Sequence, residues 1–171
     1  MNYGMLADIY DIDMGQNIGK SDIGLYLNYA REHATVLELG SGTGRVLEPL
    51  GEHGLESVGL DKSFEMVRQA RAKMNGPAGS NCTLICADIC RFSLKRSFGL
   101  AICAFSTYSK LLEDADQASF LKTVFTHLRP GGAFLLDMFV QQPDFRNTRD
   151  GEAVQDYENR WHAQKRCWIS R

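Results

Sequence analysis

A chain of 171 residues is long enough for one domain with a substantial core, and its net charge of −2 sets up no global field for nucleic acid or an anionic membrane. No apolar run approaches the roughly 20 residues that a membrane span needs. Met1–Met5 has no basic segment leading into an apolar block, so no secretory signal is read; with five cysteines, an odd number, reduced thiols in a cytoplasmic setting are expected.

In chain order, Leu6, Ile9 and Tyr10 fit one face of a short helix. Ile23, Leu25, Tyr26, Leu27 and Tyr29 predict a second helix, with Ser21 as N-cap. Thr35–Leu39 is apolar and partly β-branched, the pattern of a buried strand. It runs into Gly40, Gly42 and Gly44, after which Val46, Leu47 and Leu50 recur at helical spacing. Pro49 sits late in that helix and is expected to end or kink it. Glu56–Asp61 predicts a second strand. A helix over Ser63–Met74 follows, stopped by Asn75-Gly76-Pro77. Thr83–Cys86 is a third strand and Gly99–Phe105 a fourth, followed by the polar loop Ser106–Ser109. Asp114 or Asp116 caps a helix reaching Leu128; Arg129–Gly132 reads as a turn and Ala133–Val140 as a fifth strand. Apolar strands alternating with helices imply an α/β fold, a doubly wound, mainly parallel sheet covered on both faces. After Pro143 the pattern turns polar, with two short strands around Ala163–Lys165 forming an antiparallel extension over 143–171.

Strand, glycine turn, helix is a nucleotide or cofactor pocket at the carboxyl end of a first parallel strand. The spacing is GxGxG, not the GxGxxG of dinucleotide sites. Glu38, two residues before Gly40, would repel a pyrophosphate and favour the ammonium and sulfonium of S-adenosylmethionine. Asp61, ending the second strand, suits ribose hydroxyls in either kind of site. Asp88, ending the third, suits an adenine amino group, with Ile89 packed on the ring. The bland competitors are that Glu38 caps the turn, Asp61 caps the next helix and Asp88 serves only a turn. Cys82, Cys86 and Cys90 do not read as a metal site, because four residues along a strand separate two thiols by about 13 Å at about 3.3 Å per residue. No metal is expected. His127, late in its helix and far in sequence from the glycine loop, reads as structural rather than as a general base.

Val36–Leu50 resembles motif I of the class I S-adenosylmethionine-dependent methyltransferases. Gly59–Met66 resembles their second-strand motif, Ala87-Asp88-Ile89 their third-strand position, and Leu128–Phe134 their turn into the fifth strand. The resemblance covers about residues 20–140 and implies a Rossmann-like sheet of order 3-2-1-4-5 and the following roles. Gly40, Ser41, Gly42 and Gly44 lie against the methionine part, faced by Glu38. Asp61 holds the ribose, with Lys62 and Met66 beside it, and Asp88 and Ile89 recognise adenine. Ala104, Phe105 and Ser106 line the transfer site. Tyr3 and Tyr10 resemble the aromatic lid of small-molecule members, within a lid over 1–20 of a donor-binding domain 1–142; packing is the alternative. Arg45 reaches the methionine carboxylate or lies on the helix surface.

The expected reaction is in-line displacement at the sulfonium methyl by N, O or C of a small molecule. The donor is already activated, so the chain mainly supplies alignment and water exclusion, and a dedicated base is optional if the nucleophile is a neutral amine. No Asn-Pro-Pro-Tyr or Asp-Pro-Pro-Tyr follows the fourth strand and there is no basic excess, so nucleic acid is disfavoured as acceptor. The rival readings are a binding module without catalysis and an NAD-dependent oxidoreductase. The family's sheet continues with antiparallel sixth and seventh strands, whereas Tyr157–Arg171 resembles only the start of a substrate-covering sheet. The chain therefore reads as lacking the end of the fold, and the unpaired sheet edge invites a homodimer.

Overall fold

The structure, a computed structural model, describes residues 7, 10–12, 22–74, 76–138, 160–162 and 167–169. Two compact units divide the chain, Met1–Phe139 and Val140–Arg171. In the first, α1 (Ile23–His33), β1 (Thr35–Leu39), α2 (Leu47–Glu52), β2 (Glu56–Asp61), α3 (Phe64–Lys73), α4 (Pro77–Asn81), β3 (Cys82–Cys86), β4 (Phe98–Cys103), α5 (Asp114–His127) and β5 (Leu128–Leu136) follow in order. The five strands form one sheet of order β3-β2-β1-β4-β5, and every pairing is parallel. The second unit contains β6 (Arg160–His162) antiparallel to β7 (Cys167–Ile169). Tyr3, Ser21, Val140 and residues 141–159 lie outside the described residues, and with them the predicted Ser21 cap.

Alternation along the strands sends side chains to two helical layers. Leu37, Leu39, Val58, Leu60, Ala101 and Cys103 pack under Phe120 and Val124 of α5. Val36, Leu100, Ile102 and Ala104 face the other way, onto Ile23, Tyr26 and Ala30 of α1 and Leu50 of α2. The central strands are buried on both faces, which is why they read as continuous apolar runs. Glu38 shares the face of Val36 at the carboxyl end of β1, so the carboxylate is carried into the layer boundary where the helices diverge.

Several local expectations are corrected. Pro49 is the third residue of α2, not a late one. In the first turn its missing N–H has no intrahelical partner to lose, so the helix tolerates it. Residues 76–77 do stop α3, but they also open the short helix α4: Gly76 has φ 88° and Pro77 stands at the first helical position. The predicted Asp114 or Asp116 cap is displaced by Glu113, and both aspartates fall in the first turn of α5. Arg129–Gly132 is not a turn ahead of the fifth strand but a bulge inside β5. Phe98 pairs with Leu128 and Leu100 with Ala133, so residues 129–132 lie opposite Gly99. The fourth strand stops at Cys103, because Phe105 and Ser106 leave the extended conformation for φ 56° and φ 54°.

Candidate functional site

The carboxyl ends of β1, β2, β3 and β4 open onto one cavity of about 910 Å³. The glycine loop forms its floor. Gly40 and Ser41 donate their N–H groups to Leu60 O at 2.8 and 2.9 Å, which bends the loop toward β2. Gly40 has φ 77°, and a Cβ there would lie 2.4 Å from Thr107 Cγ2, so only glycine fits against the loop after β4.

Asp61 ties this loop to the next. One carboxylate oxygen accepts the Gly42 N–H at 2.9 Å and the other accepts the Ser63 N–H at 2.8 Å. Each oxygen keeps a second lone pair for a ligand. Ser63 in turn caps α3 by accepting the Met66 N–H, which brings Lys62 and Met66 to the cavity wall. Asp88 accepts the Cys90 N–H at 2.8 Å in a tight turn and lines the cavity together with Ile89. The turn role and the wall position coexist at both acids.

Glu38 is 2 % exposed, and its Oε2 has no hydrogen-bond partner among the described residues; the Ser41 hydroxyl is in the same condition. Burial pushes the Glu38 carboxyl up to about 8; the Arg45 guanidinium works against that rise and Asp61 adds to it. A buried carboxylate oxygen beside a cavity, without a donor, is a site that a cationic group would complete.

Tyr10, Glu38, Ser41 and Phe105 all line this cavity, as do Gly40, Gly42 and Ala104. Gly44 does not. Its φ of 83° and the Met74 Cε 2.5 Å from a would-be Cβ show that it lets α3 approach the loop. Ser106 is also off the wall; its N–H donates to Asp137 O. Arg45 lines the cavity but is held by Asp22 in a bidentate pair at 2.8 and 2.6 Å, with its guanidinium 5.5 Å from the Phe105 ring centroid. Asp11, next to Tyr10, accepts from Thr43 Oγ1 and pairs with Lys73 at 2.8 Å.

Sequence reasoning missed Thr43, Phe64, Thr107 and the stretch Ser109–Leu112 on the cavity wall. Phe64 at 65 % and Leu112 at 84 % exposure are large apolar side chains standing at the opening. The available signal for Phe64 was its place as the first helical residue after the Ser63 cap, three residues beyond the strand-end acid Asp61.

His127 is buried, accepts the Leu94 N–H at 3.0 Å and packs on Phe92, so its role is to hold the segment between β3 and β4. Cys82, Cys86, Cys90 and Cys103 are free thiols. Burial pushes Cys82 and Cys90 up to about 11 and Cys103 to about 12. Among the described residues no cluster of three or more His, Cys, Asp or Glu could hold a metal ion, and no helix is long and apolar enough to cross a membrane.

The fold and this strand-end cavity define a Rossmann-like nucleotide-type site. The family model described as a methyltransferase domain matches residues 36–132, and the chain belongs to that family. A carboxy-S-adenosyl-L-methionine synthase from Aliivibrio salmonicida is 26% identical over 113 residues, covering 63% of this chain and 46% of its own length. A dTDP-3-amino-3,4,6-trideoxy-alpha-D-glucopyranose N,N-dimethyltransferase from Streptomyces venezuelae is 27% identical over 137 residues, covering 77% of this chain and 56% of its own. Among solved structures, the glycopeptide N-methyltransferase MtfA complexed with sinefungin aligns with a TM-score of 0.63 at 30% identity, over 69% of this chain and 49% of that one. The chain spans about half the length of the curated relatives it matches.

Proposed function

We propose that the chain binds S-adenosylmethionine and directs its methyl group to an N, O or C nucleophile of a small molecule. The orphaned Glu38 carboxylate oxygen carries the reading. It lies in the wall at the end of β1, just before the glycine loop, and the acids Asp61 and Asp88 that suit ribose and adenine line the same cavity. The donor supplies an activated methyl on a sulfonium. The chain's own residues then have three tasks. Glu38 and Ser41 complete their hydrogen bonds on the ammonium end, Asp61 accepts from the ribose hydroxyls with Lys62 and Met66 beside it, and Asp88 and Ile89 frame the adenine. Phe105 and Tyr10, both on the cavity wall, exclude water there, with Asp11 beside Tyr10 paired to Lys73. No step needs a dedicated base when the nucleophile is a neutral amine.

Titration calorimetry with S-adenosylhomocysteine is expected to give a single site of micromolar affinity, and NAD no binding. Binding of NAD but not of the homocysteine compound would overturn the reading in favour of an oxidoreductase. A methyl-transfer screen over small amines, phenols and carboxylates then separates an enzyme from a donor-binding module. The small-molecule acceptor is supported by the named activity of the Streptomyces relative and by the absence of a basic excess. A cytoplasmic setting is supported by the exposed free thiol of Cys86.

A homodimer through β5 goes with the same reading, since β5 is an outer strand of the described sheet. Light scattering at high protein concentration is expected to give twice the chain mass; a clean monomer would remove the dimer.

A further inference from the structure

Among the described residues, three that are not glycine have positive φ: Ala34, Phe105 and Ser106. Ala34 ends α1, where its N–H is satisfied by Ala30 O. Phe105 and Ser106 are consecutive, at φ 56° and 54°, and form the turn between β4 and the cavity wall. Side chains with a Cβ adopt this conformation at a cost, so something must hold them there.

Asp137, the residue after β5, grips both ends of that turn. Its N–H donates to Cys103 O at 3.0 Å and its carbonyl accepts the Ser106 N–H at 3.3 Å. Its Oδ2 accepts the Phe105 N–H at 3.0 Å and the Tyr26 hydroxyl at 3.3 Å. Burial, then the Asp137 carboxylate beside it, keeps the Tyr26 hydroxyl protonated, so it remains a donor. Asp137 is not part of the cavity wall, yet the turn it holds is. The turn places Thr107, whose hydroxyl donates to Ala104 O at 2.9 Å, directly against Gly40. A shift of the turn therefore moves both Phe105 and the surface that meets the glycine loop.

We infer that Asp137, oriented by Tyr26 of α1, is a positioning residue that holds the Phe105–Ser106 turn in its left-handed form and so shapes the methionine end of the cavity. The inference rests on the methyl-donor reading of that cavity.

The test uses the full chain and three variants, with folding checked by circular dichroism. Asp137→Ala removes the acceptor for the Phe105 N–H and is expected to weaken S-adenosylhomocysteine binding about tenfold, as the turn relaxes toward negative φ. Asp137→Asn keeps a carboxamide oxygen for the same N–H and is expected to stay within about threefold of the wild type. Adding Ser106→Gly to Asp137→Ala removes the cost at one of the two left-handed positions and is expected to restore part of the lost affinity, by about threefold. The amide proton of Phe105, hydrogen-bonded to a carboxylate, is expected to move upfield in Asp137→Ala without any ligand. Binding by Asp137→Ala within about twofold of wild type would overturn the inference. So would an unmoved Phe105 amide, or a loss that neither Asn nor the added glycine repairs. A wild-type protein that binds no S-adenosylhomocysteine would sink the methyl-donor reading instead, and the amide shift would still report whether Asp137 holds the turn.

Discussion

Asp61→Ala is expected to weaken S-adenosylhomocysteine binding by about 100-fold or more. Two effects add. The carboxylate would accept two ribose hydroxyls, and a hydrogen bond to a charged acceptor is worth about 1.5–3 kcal/mol. The same two oxygens hold the N–H groups of Gly42 and Ser63, so truncation also frees the glycine loop and the start of α3. Asp61→Asn retains one acceptor oxygen but turns an amino group toward the other donor, and a loss of about tenfold is expected. Calorimetry measures both, with circular dichroism to confirm the fold. An affinity for Asp61→Ala within about threefold of wild type would remove this residue from the ligand.

Glu38 carries the second large effect, and its sign follows from burial. The folded carboxyl titrates near 8 against an ordinary 4.5, so between those values the folded chain holds a proton that the unfolded chain has lost. On this account stability falls as pH rises through that window and levels off above about 8. Ligand binding runs the other way. An ammonium placed against Oε2 favours the ionised carboxylate, so binding at pH 6.5 is expected to release close to one proton. Affinity then rises with pH, by up to about tenfold per unit, between roughly 5.5 and 7.5. Calorimetry in buffers of different ionisation heat counts the proton. Glu38→Gln is expected to release none, to lose the pH slope, and to bind about 10- to 100-fold more weakly at pH 7.5. A wild-type enthalpy that does not vary with buffer would dissociate Glu38 from the cationic group.

Residues whose meaning is local were legible. The parallel, doubly wound sheet follows from apolar strands alternating with helices, and from the right-handed crossovers that such units require, and the order seen matches the one the family resemblance implied. Gly40, Glu38, Asp61 and Asp88 each stand at a strand end, and strand ends are visible where an apolar run stops. Parallel pairing of β1, β2, β3 and β4 then brings those ends to one cavity without further information. Where a residue's role depends on a distant partner, the sequence was silent. Arg45 offered two readings, and Asp22 supplied a third by binding it on both oxygens. Gly44 looked like its neighbours in the loop, but the Met74 methyl on α3 is what demands it. Pro49 was misplaced within its helix because helix starts are set by backbone geometry rather than by the apolar stripe.

By itself, then, the amino-acid sequence determined the α/β class, the parallel doubly wound sheet and the acids that ring the cavity, since all three follow from periodicity and from residues adjacent in the chain. Only the tertiary structure decided that Glu38 is buried without a donor, that Phe105 and Ser106 are held left-handed, and that Asp137 and Tyr26 meet across 111 residues to hold them. Those features depend on which groups the packing brings together and which it leaves unpaired, and no local pattern encodes a partner that arrives from another layer of the fold.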